Sequence, residues 1–149
     1  MNKIMKRIKR IALIIVIFNV FLTKTDVILF AEENRRPLYN PYSVFSDGKK
    51  LYISDSGNNR VLIYSCIPDS NKISADIVIG QSDFNSNLSN QSYQLSGVRA
   101  NTLSNPCGVF SDGKRLYIAD TGNNRVLIFN KIPDKNNVEA DVVVGQRGF

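Results

Sequence analysis

The alternation of apolar runs and turn residues after residue 38 predicts short β-strands. Val61–Tyr64 is a continuous apolar run, which indicates a strand covered on both faces. Asp47-Gly48 lies between two such segments and is a hairpin signal. No segment after residue 35 has the periodicity of an amphipathic helix. The predicted strands lie near 43–47, 50–55, 60–65 and 75–79. The pattern therefore predicts an all-β chain.

The same pattern occurs again 65 residues later along the chain. Aligned without gaps, Leu38–Phe84 and Leu103–Phe149 share 30 identities in 47 pairs. A self-match of this extent indicates tandem duplication of one structural unit. Each copy is expected to form one four-stranded antiparallel unit, and the second set of strands is expected 65 residues after the first.

Both copies carry the element Asp-[Ser/Thr]-Gly-Asn-Asn-Arg after their second predicted strand. We expect the aspartate to accept hydrogen bonds from backbone N–H groups two residues on. The glycine suits a positive φ and the first asparagine, Asn58 or Asn123, tolerates one. The arginine is expected to bridge turn carbonyls or the aspartate of a neighbouring unit. Because both copies carry the element, we interpret it as a structural turn signature and not as a cation or ligand site. Its residues are Asp55, Gly57, Asn58, Asn59 and Arg60, then Asp120, Gly122, Asn123, Asn124 and Arg125.

These motifs resemble the NHL repeat. Asn105-Pro-Cys-Gly-Val-Phe-Ser-Asp-Gly113, followed by Leu116-Tyr-Ile-Ala-Asp-Thr-Gly-Asn-Asn-Arg-Val126, is the better match, and the first copy departs mildly at Ser43 and Ser54. The resemblance implies two four-stranded antiparallel β-propeller blades, at 38–84 and 103–149, as part of a six-bladed propeller. It also implies a non-catalytic binding or scaffold role.

The basic charge of the chain is concentrated at its start. The formal net charge is +6, yet five positive residues fall within the first ten. A largely apolar run, Ile11–Leu22, follows them, and it is shorter than the roughly 20 residues of a spanning helix. We predict that 1–31 is a signal peptide, or an uncleaved membrane anchor, followed by a short linker at 32–37. A cytosolic chain is the third interpretation. The first two make the protein exported, secreted or envelope-associated, with membrane contact only through this segment.

The remaining composition limits the function classes. From Glu32 onward 13 Lys and Arg stand against 12 Asp and Glu, a net of +1, which argues against a nucleic-acid partner. There is no histidine, which removes Ser-His-Asp chemistry and the histidine-bound zinc of lyases that resemble this chain in fold. We therefore predict a non-enzyme with no cofactor and no metal. An enzyme of the propeller lyase or lactonase type is a less favoured alternative.

Ligand binding is expected in the polar loop from Ser82 to Asn105, of which 85–102 is the connector between the two repeats, because ordered loops on a rigid scaffold commonly carry function. The candidate contacts are Tyr93, Arg99 and Asn101, and the ligand is an unidentified protein or glycan. A homotrimer that closes a six-bladed ring is a possible assembly. The alternative is that the chain is the truncated front end of a longer propeller, with its second blade cut short and no independent function. Cys66 and Cys107 are expected to be free thiols.

Overall fold

The structure, a computed structural model, describes residues 35–92 and 97–149, which form two four-stranded antiparallel sheets. Sheet 1 contains β1 (Pro41–Ser46), β2 (Leu51–Asp55), β3 (Arg60–Tyr64) and β4 (Ile77–Ile79). Sheet 2 contains β5 (Gly108–Ser111), β6 (Leu116–Asp120), β7 (Arg125–Phe129) and β8 (Val142–Val144). The predicted segment 1–31 and Tyr93 lie outside the described residues.

Within each sheet the strands pair in chain order, so each sheet is an antiparallel meander. Asp55 is paired with Arg60 across the hairpin that joins β2 to β3, and Asp120 is paired with Arg125 at the equivalent place in sheet 2. The strands begin and end within about two residues of the predicted positions. The all-β prediction is confirmed, and helix in the described residues is limited to single 3₁₀ turns.

The hairpin between β1 and β2 shows how local chemistry sets this topology. Gly48 has a φ of +87°, a conformation that glycine adopts without a steric penalty. The Asp47 Oδ1 accepts hydrogen bonds from the backbone N–H of Lys49 and Lys50, at 2.9 and 2.7 Å. The Lys50 N–H is the main reason that the pKa of Asp47 lies below its usual value. The side chain thus fixes the turn that places β2 beside β1.

A buried apolar cluster joins the two sheets. Directly opposed residues on neighbouring strands share a face, so Tyr52, Ile63 and Ile77 line one face of sheet 1. They lie in one cluster with Ile118 and Leu127 of sheet 2. Strand β5 contacts both β1 and β2. The sheets therefore stack, with sheet 2 covering one face of sheet 1.

Polar contacts fix the relative position of the sheets. The Asn59 Oδ1 accepts a hydrogen bond from the Asn105 backbone N–H at 2.8 Å. The outer edge of β4 is also paired: the Val78 N–H donates to the Asn136 Oδ1 at 3.0 Å, and the Val78 carbonyl accepts from the Asn137 N–H at 3.0 Å. The loop that follows β7 thereby covers the backbone edge of sheet 1, which would otherwise be open to other strands.

Both cysteines are free thiols, as predicted. Cys66 is exposed in the loop after β3, and Cys107 is half-buried just before β5. In the part of the chain that the structure describes, no helix is long and apolar enough to cross a membrane.

Candidate functional site

The Asp–Asn–Arg turn of sheet 1 is built around the buried carboxylate of Asp55. Its Oδ1 accepts a hydrogen bond from the Tyr39 backbone N–H at 2.7 Å. Its Oδ2 accepts from the Asn58 Nδ2 at 2.9 Å and from the Arg60 Nε at 2.7 Å. The side chains of Arg60 and Asp55 are 1% and 0% exposed, so this is a desolvated ion pair.

Arg60 uses its remaining N–H groups to hold the chain segments on either side of sheet 1. Its Nη2 donates to the Arg36 carbonyl at 2.8 Å, and its Nη1 donates to the Phe84 carbonyl. The arginine bridges carbonyls, as predicted, but these carbonyls belong to the segments before and after the sheet and not to the turn. The alternative prediction, that the arginine pairs with the aspartate of a neighbouring unit, is wrong. Arg60 pairs with Asp55, which lies opposite it across the same hairpin.

Sheet 2 repeats this arrangement with one difference. The Arg125 Nε lies 2.8 Å from the Asp120 Oδ2, with both side chains at 0% exposure. The Arg125 Nη2 donates to the carbonyls of Arg99 and Thr102, at 2.7 and 3.0 Å. Its Nη1 has no hydrogen-bond partner, whereas the equivalent atom of Arg60 has one. Each arginine thus ties the segment before its sheet to the Asp–Asn–Arg turn.

Two details of the predicted turn are wrong. The Asp55 carboxylate bonds to Tyr39, Asn58 and Arg60 and not to the N–H two residues on. The left-handed residue is Asn59, with φ of +52°, and not Gly57. Gly57 is required for close approach instead, because a Cβ there would lie 2.6 Å from the Tyr39 carbonyl oxygen. Sheet 2 shows the same arrangement: Asn124 is the left-handed residue, and Gly122 is required for close approach.

The chemistry available to this turn is limited, because both carboxylate oxygens of Asp55 and the N–H groups of Arg60 already bond within the chain. The other repeated aspartates act in the same way: Asp76 and Asp141 accept from the Ser65 and Asn130 backbone N–H groups, each at 2.7 Å. Among the described residues there is no group of three or more His, Cys, Asp or Glu side chains placed to hold a metal ion.

The connector after β4 is ordered by two glutamine side chains. Gln81, fully buried, donates from Nε2 to the carbonyls of Asn59 and Leu88 at 2.8 and 2.9 Å. The Gln91 Nε2 donates to the Asn101 carbonyl at 3.0 Å and to the Asn137 Oδ1 at 2.7 Å. Both amides tie the connector to segments that are distant in sequence. The connector therefore has a defined shape.

Asp83 fixes the first turn of the connector. Its Oδ1 accepts from the backbone N–H groups of Asn85 and Ser86, each at 2.8 Å. These two bonds, with the Asn85 N–H the stronger influence, hold the pKa of Asp83 below its usual value. The carboxylate therefore stays charged to a lower pH than a free aspartate does, which preserves the turn.

A small polar cleft opens along this connector. Its volume is about 290 Å³, near the lower end of the range for ligand pockets. It is lined by Gln81, Ser82, Ser86, Asn87, Leu88 and Gln91. None of these side chains carries a formal charge, so the cleft offers amide and hydroxyl hydrogen bonds around one leucine.

The predicted ligand contacts do not line this cleft. Arg99 is exposed, and its carbonyl accepts the hydrogen bond from Arg125. Asn101 is half-buried, and its carbonyl accepts the bond from Gln91, while its Oδ1 has no partner. Tyr93 lies outside the described residues. The sequence placed binding in the loop from Ser82 to Asn105, and the cleft lies at the start of that loop and not at Arg99 or Asn101.

The chain matches no family model, and a search of the curated proteins finds no similar protein.

Proposed function

We propose that this chain belongs to an NHL-type β-propeller that acts outside the cytoplasm as a non-catalytic binding or scaffold module. The self-match of 47 residues at a spacing of 65, together with the NHL-like motifs, supports this class. The two stacked four-stranded meanders, which share one strand order and one pairing pattern, are compatible with propeller blades. The ligand is a protein or a glycan, and recognition needs no cofactor or metal.

The polar cleft of the connector is the observation that carries the binding role. Its amide and hydroxyl groups can exchange hydrogen bonds with a neutral polar ligand, and the buried Gln81 amide and the Asp83 turn fix their positions. A preorganised loop loses little conformational entropy when it binds. An uncharged oligosaccharide or an extended uncharged peptide fits this chemistry, whereas a strongly charged ligand would lose solvation without gaining an opposite charge.

The test is amide NMR of the full chain with a panel of neutral oligosaccharides and uncharged peptides. We expect one probe to shift the resonances of residues around Asn87, with a dissociation constant that Asn87→Ala raises at least fivefold. Asn130→Ala, an exposed asparagine far from the cleft in sequence, is the matched control and should leave binding unchanged. If no probe shifts these resonances, or if Asn130→Ala weakens binding equally, the cleft is not the binding site.

The location outside the cytoplasm is proposed from the sequence, through the basic start and the apolar run Ile11–Leu22. Mass spectrometry of the chain expressed in a bacterium with an intact export system provides the test. A mature N-terminus immediately after Ala31 in exported protein supports a cleaved signal. Full-length protein confined to the cytosol would contradict export.

A further inference from the structure

Exposed apolar side chains cluster on the two outer faces of the stacked sheets. Among the described residues nine large hydrophobic side chains are exposed. Three of them, which we call the leading face, are Leu38, Val44 and Ile67, at 43%, 66% and 51% exposure. Three more, the trailing face, are Phe110, Val142 and Val144, at 52%, 39% and 52% exposure. Exposed apolar patches of this kind mark interaction surfaces.

The counterparts of the leading face are buried at the contact between the sheets. Shifted by 65 residues, Leu38 and Val44 correspond to Leu103 and Val109, which are 0% and 8% exposed. Ile67 corresponds to Ile132, which is partly buried against the same cluster. The leading face therefore consists of side chains whose equivalents in sheet 2 already cover sheet 1.

The trailing face has the complementary relation. Val142 and Val144 correspond to Ile77 and Ile79, which are 6% and 1% exposed because sheet 2 covers them. Phe110 corresponds to Phe45, whose ring packs against it at a centroid distance of 4.9 Å. The trailing face therefore reproduces the surface that receives sheet 2 on sheet 1.

The residues between these exposed positions match as well. The covering face of sheet 2 runs Val109, Ile118, Leu127 and Val143 across its strands, and the leading side of sheet 1 runs Val44, Ile53, Leu62 and Val78. The two rows are identical in sequence. Leu62 and Val78 are already buried, at 4% and 0% exposure, in a cluster with Phe84 packed against it, so an added sheet contacts the leading side at the exposed positions and not through these two side chains.

Polar partners for such a contact are also present. Asn59 and Asn136 hold the internal contact through Asn105 and Val78. Their counterparts are Asn124 on the trailing side and Asn71 on the leading side, and both are exposed. Asn71 is placed to bond the edge of β8 in another sheet as Asn136 bonds the edge of β4. One chain thus supplies both halves of a second contact of the same kind.

We propose that a second copy of this chain docks its leading face onto the trailing face, with Leu38, Val44 and Ile67 in the places that their counterparts in sheet 2 occupy on sheet 1. The contact is head-to-tail, so each copy keeps one face free until a ring closes or a filament grows. This inference goes beyond the proposed binding role, because neither face includes a residue of the polar cleft. Failure of ligand binding would leave it untouched.

The test is sedimentation velocity of the full chain in a mild detergent, over a range of concentrations. The wild-type chain should sediment above the monomer mass in a concentration-dependent way. Val144→Glu and Val44→Glu each place a charge on one face at an exposed position, and each chain alone should be monomeric. Ser89→Glu adds the same charge at an exposed position of the connector, outside both faces, and should assemble as the wild type does. Far-UV circular dichroism verifies the fold of every variant.

Mixing the two single variants identifies the geometry. Val144→Glu keeps an intact leading face and Val44→Glu keeps an intact trailing face, so an equimolar mixture should form a one-to-one dimer that grows no further. A monomeric wild-type chain overturns the proposal. So does assembly that survives Val44→Glu, since that indicates pairing of two trailing faces, and so does a mixture that remains monomeric.

Discussion

Replacing Asp55 by alanine should destabilise the fold more than any other single change to the Asp–Asn–Arg turn. The change removes the acceptor of three hydrogen bonds and leaves the Arg60 guanidinium, 1% exposed, without its counter-charge. Removing one partner of a buried ion pair costs about 3–5 kcal/mol. Domains have a free energy of unfolding of roughly 5–15 kcal/mol, so the loss should be about a fifth of the stability or more.

Two further variants separate charge from shape. Asp55→Asn keeps an oxygen for the Tyr39 N–H but places an amide group opposite the Arg60 Nε, where donor faces donor. It should therefore lose most of the same stability. The double variant Asp55→Leu/Arg60→Met replaces the pair with apolar side chains and should recover much of the loss, because well-packed apolar groups often substitute for a buried pair without cost.

The assay is urea unfolding followed by circular dichroism, with the m-value as the check that the unfolded state is unchanged. The wild-type chain, Asp55→Leu, Arg60→Met and the double variant form a cycle whose coupling energy should exceed about 1 kcal/mol, since the two residues are in direct contact. If Asp55→Ala costs less than about 1 kcal/mol, or if the double variant is no more stable than the single ones, the buried pair does not hold the turn.

Three other measurements check separate parts of the structure. Gly57→Ala should lower the free energy of unfolding by about 1–3 kcal/mol, because its Cβ would lie 2.6 Å from the Tyr39 carbonyl oxygen; Gly148→Ala, with no neighbour within 4 Å, should leave it unchanged. The pKa of Asp83 in the folded chain is depressed below 3.8. Its contribution to the free energy of unfolding should therefore be fully present above that pH and be lost as the pH falls through the pKa of the folded state. The midpoint temperature of thermal unfolding should therefore fall less steeply between pH 6 and pH 2 in Asp83→Asn than in the wild-type chain. An unchanged slope would contradict the role of this carboxylate. Burial, and then the hydrogen bond to Asp47, raise the pKa of Tyr52 to about 12, so an alkaline absorbance titration should contain a late tyrosinate step that Tyr52→Phe removes; its contribution to stability is present below pH 10 and is lost as the pH rises through 12.

The strands and their pairing could be predicted from the sequence because the information is local. The run Val61–Tyr64 indicates a covered strand, and Asp47-Gly48 indicates the turn before β2. The structure has both where they were expected. The ion-pair partner of Arg60 was harder to predict from the sequence, because a side chain at the start of a strand can reach either its own hairpin or another unit. The pairing of Asp55 with Arg60 across one hairpin decides between them.

The role of Gly57 and the position of the cleft could not be predicted in the same way. Glycine serves both left-handed turns and close approaches, and only the proximity of Tyr39 distinguishes them here. The cleft residues are uncharged polar side chains in a connector, where no periodic pattern assigns them a face. The candidates Arg99 and Asn101 were selected for their side-chain chemistry. In the structure their backbone carbonyls accept hydrogen bonds from the side chains of Arg125 and Gln91.

The pairing of the β4 edge with the loop that follows β7 has a consequence for synthesis on the ribosome. The Val78 N–H donates its hydrogen bond to Asn136, which is 58 residues further along the chain. At about 5–20 residues per second, translation supplies Asn136 roughly 3–12 s after Val78. During that interval sheet 1 has an unsatisfied strand edge and an uncovered apolar face. Nascent chains of this protein should therefore bind a ribosome-associated chaperone most strongly when Val78 has emerged and Asn136 has not.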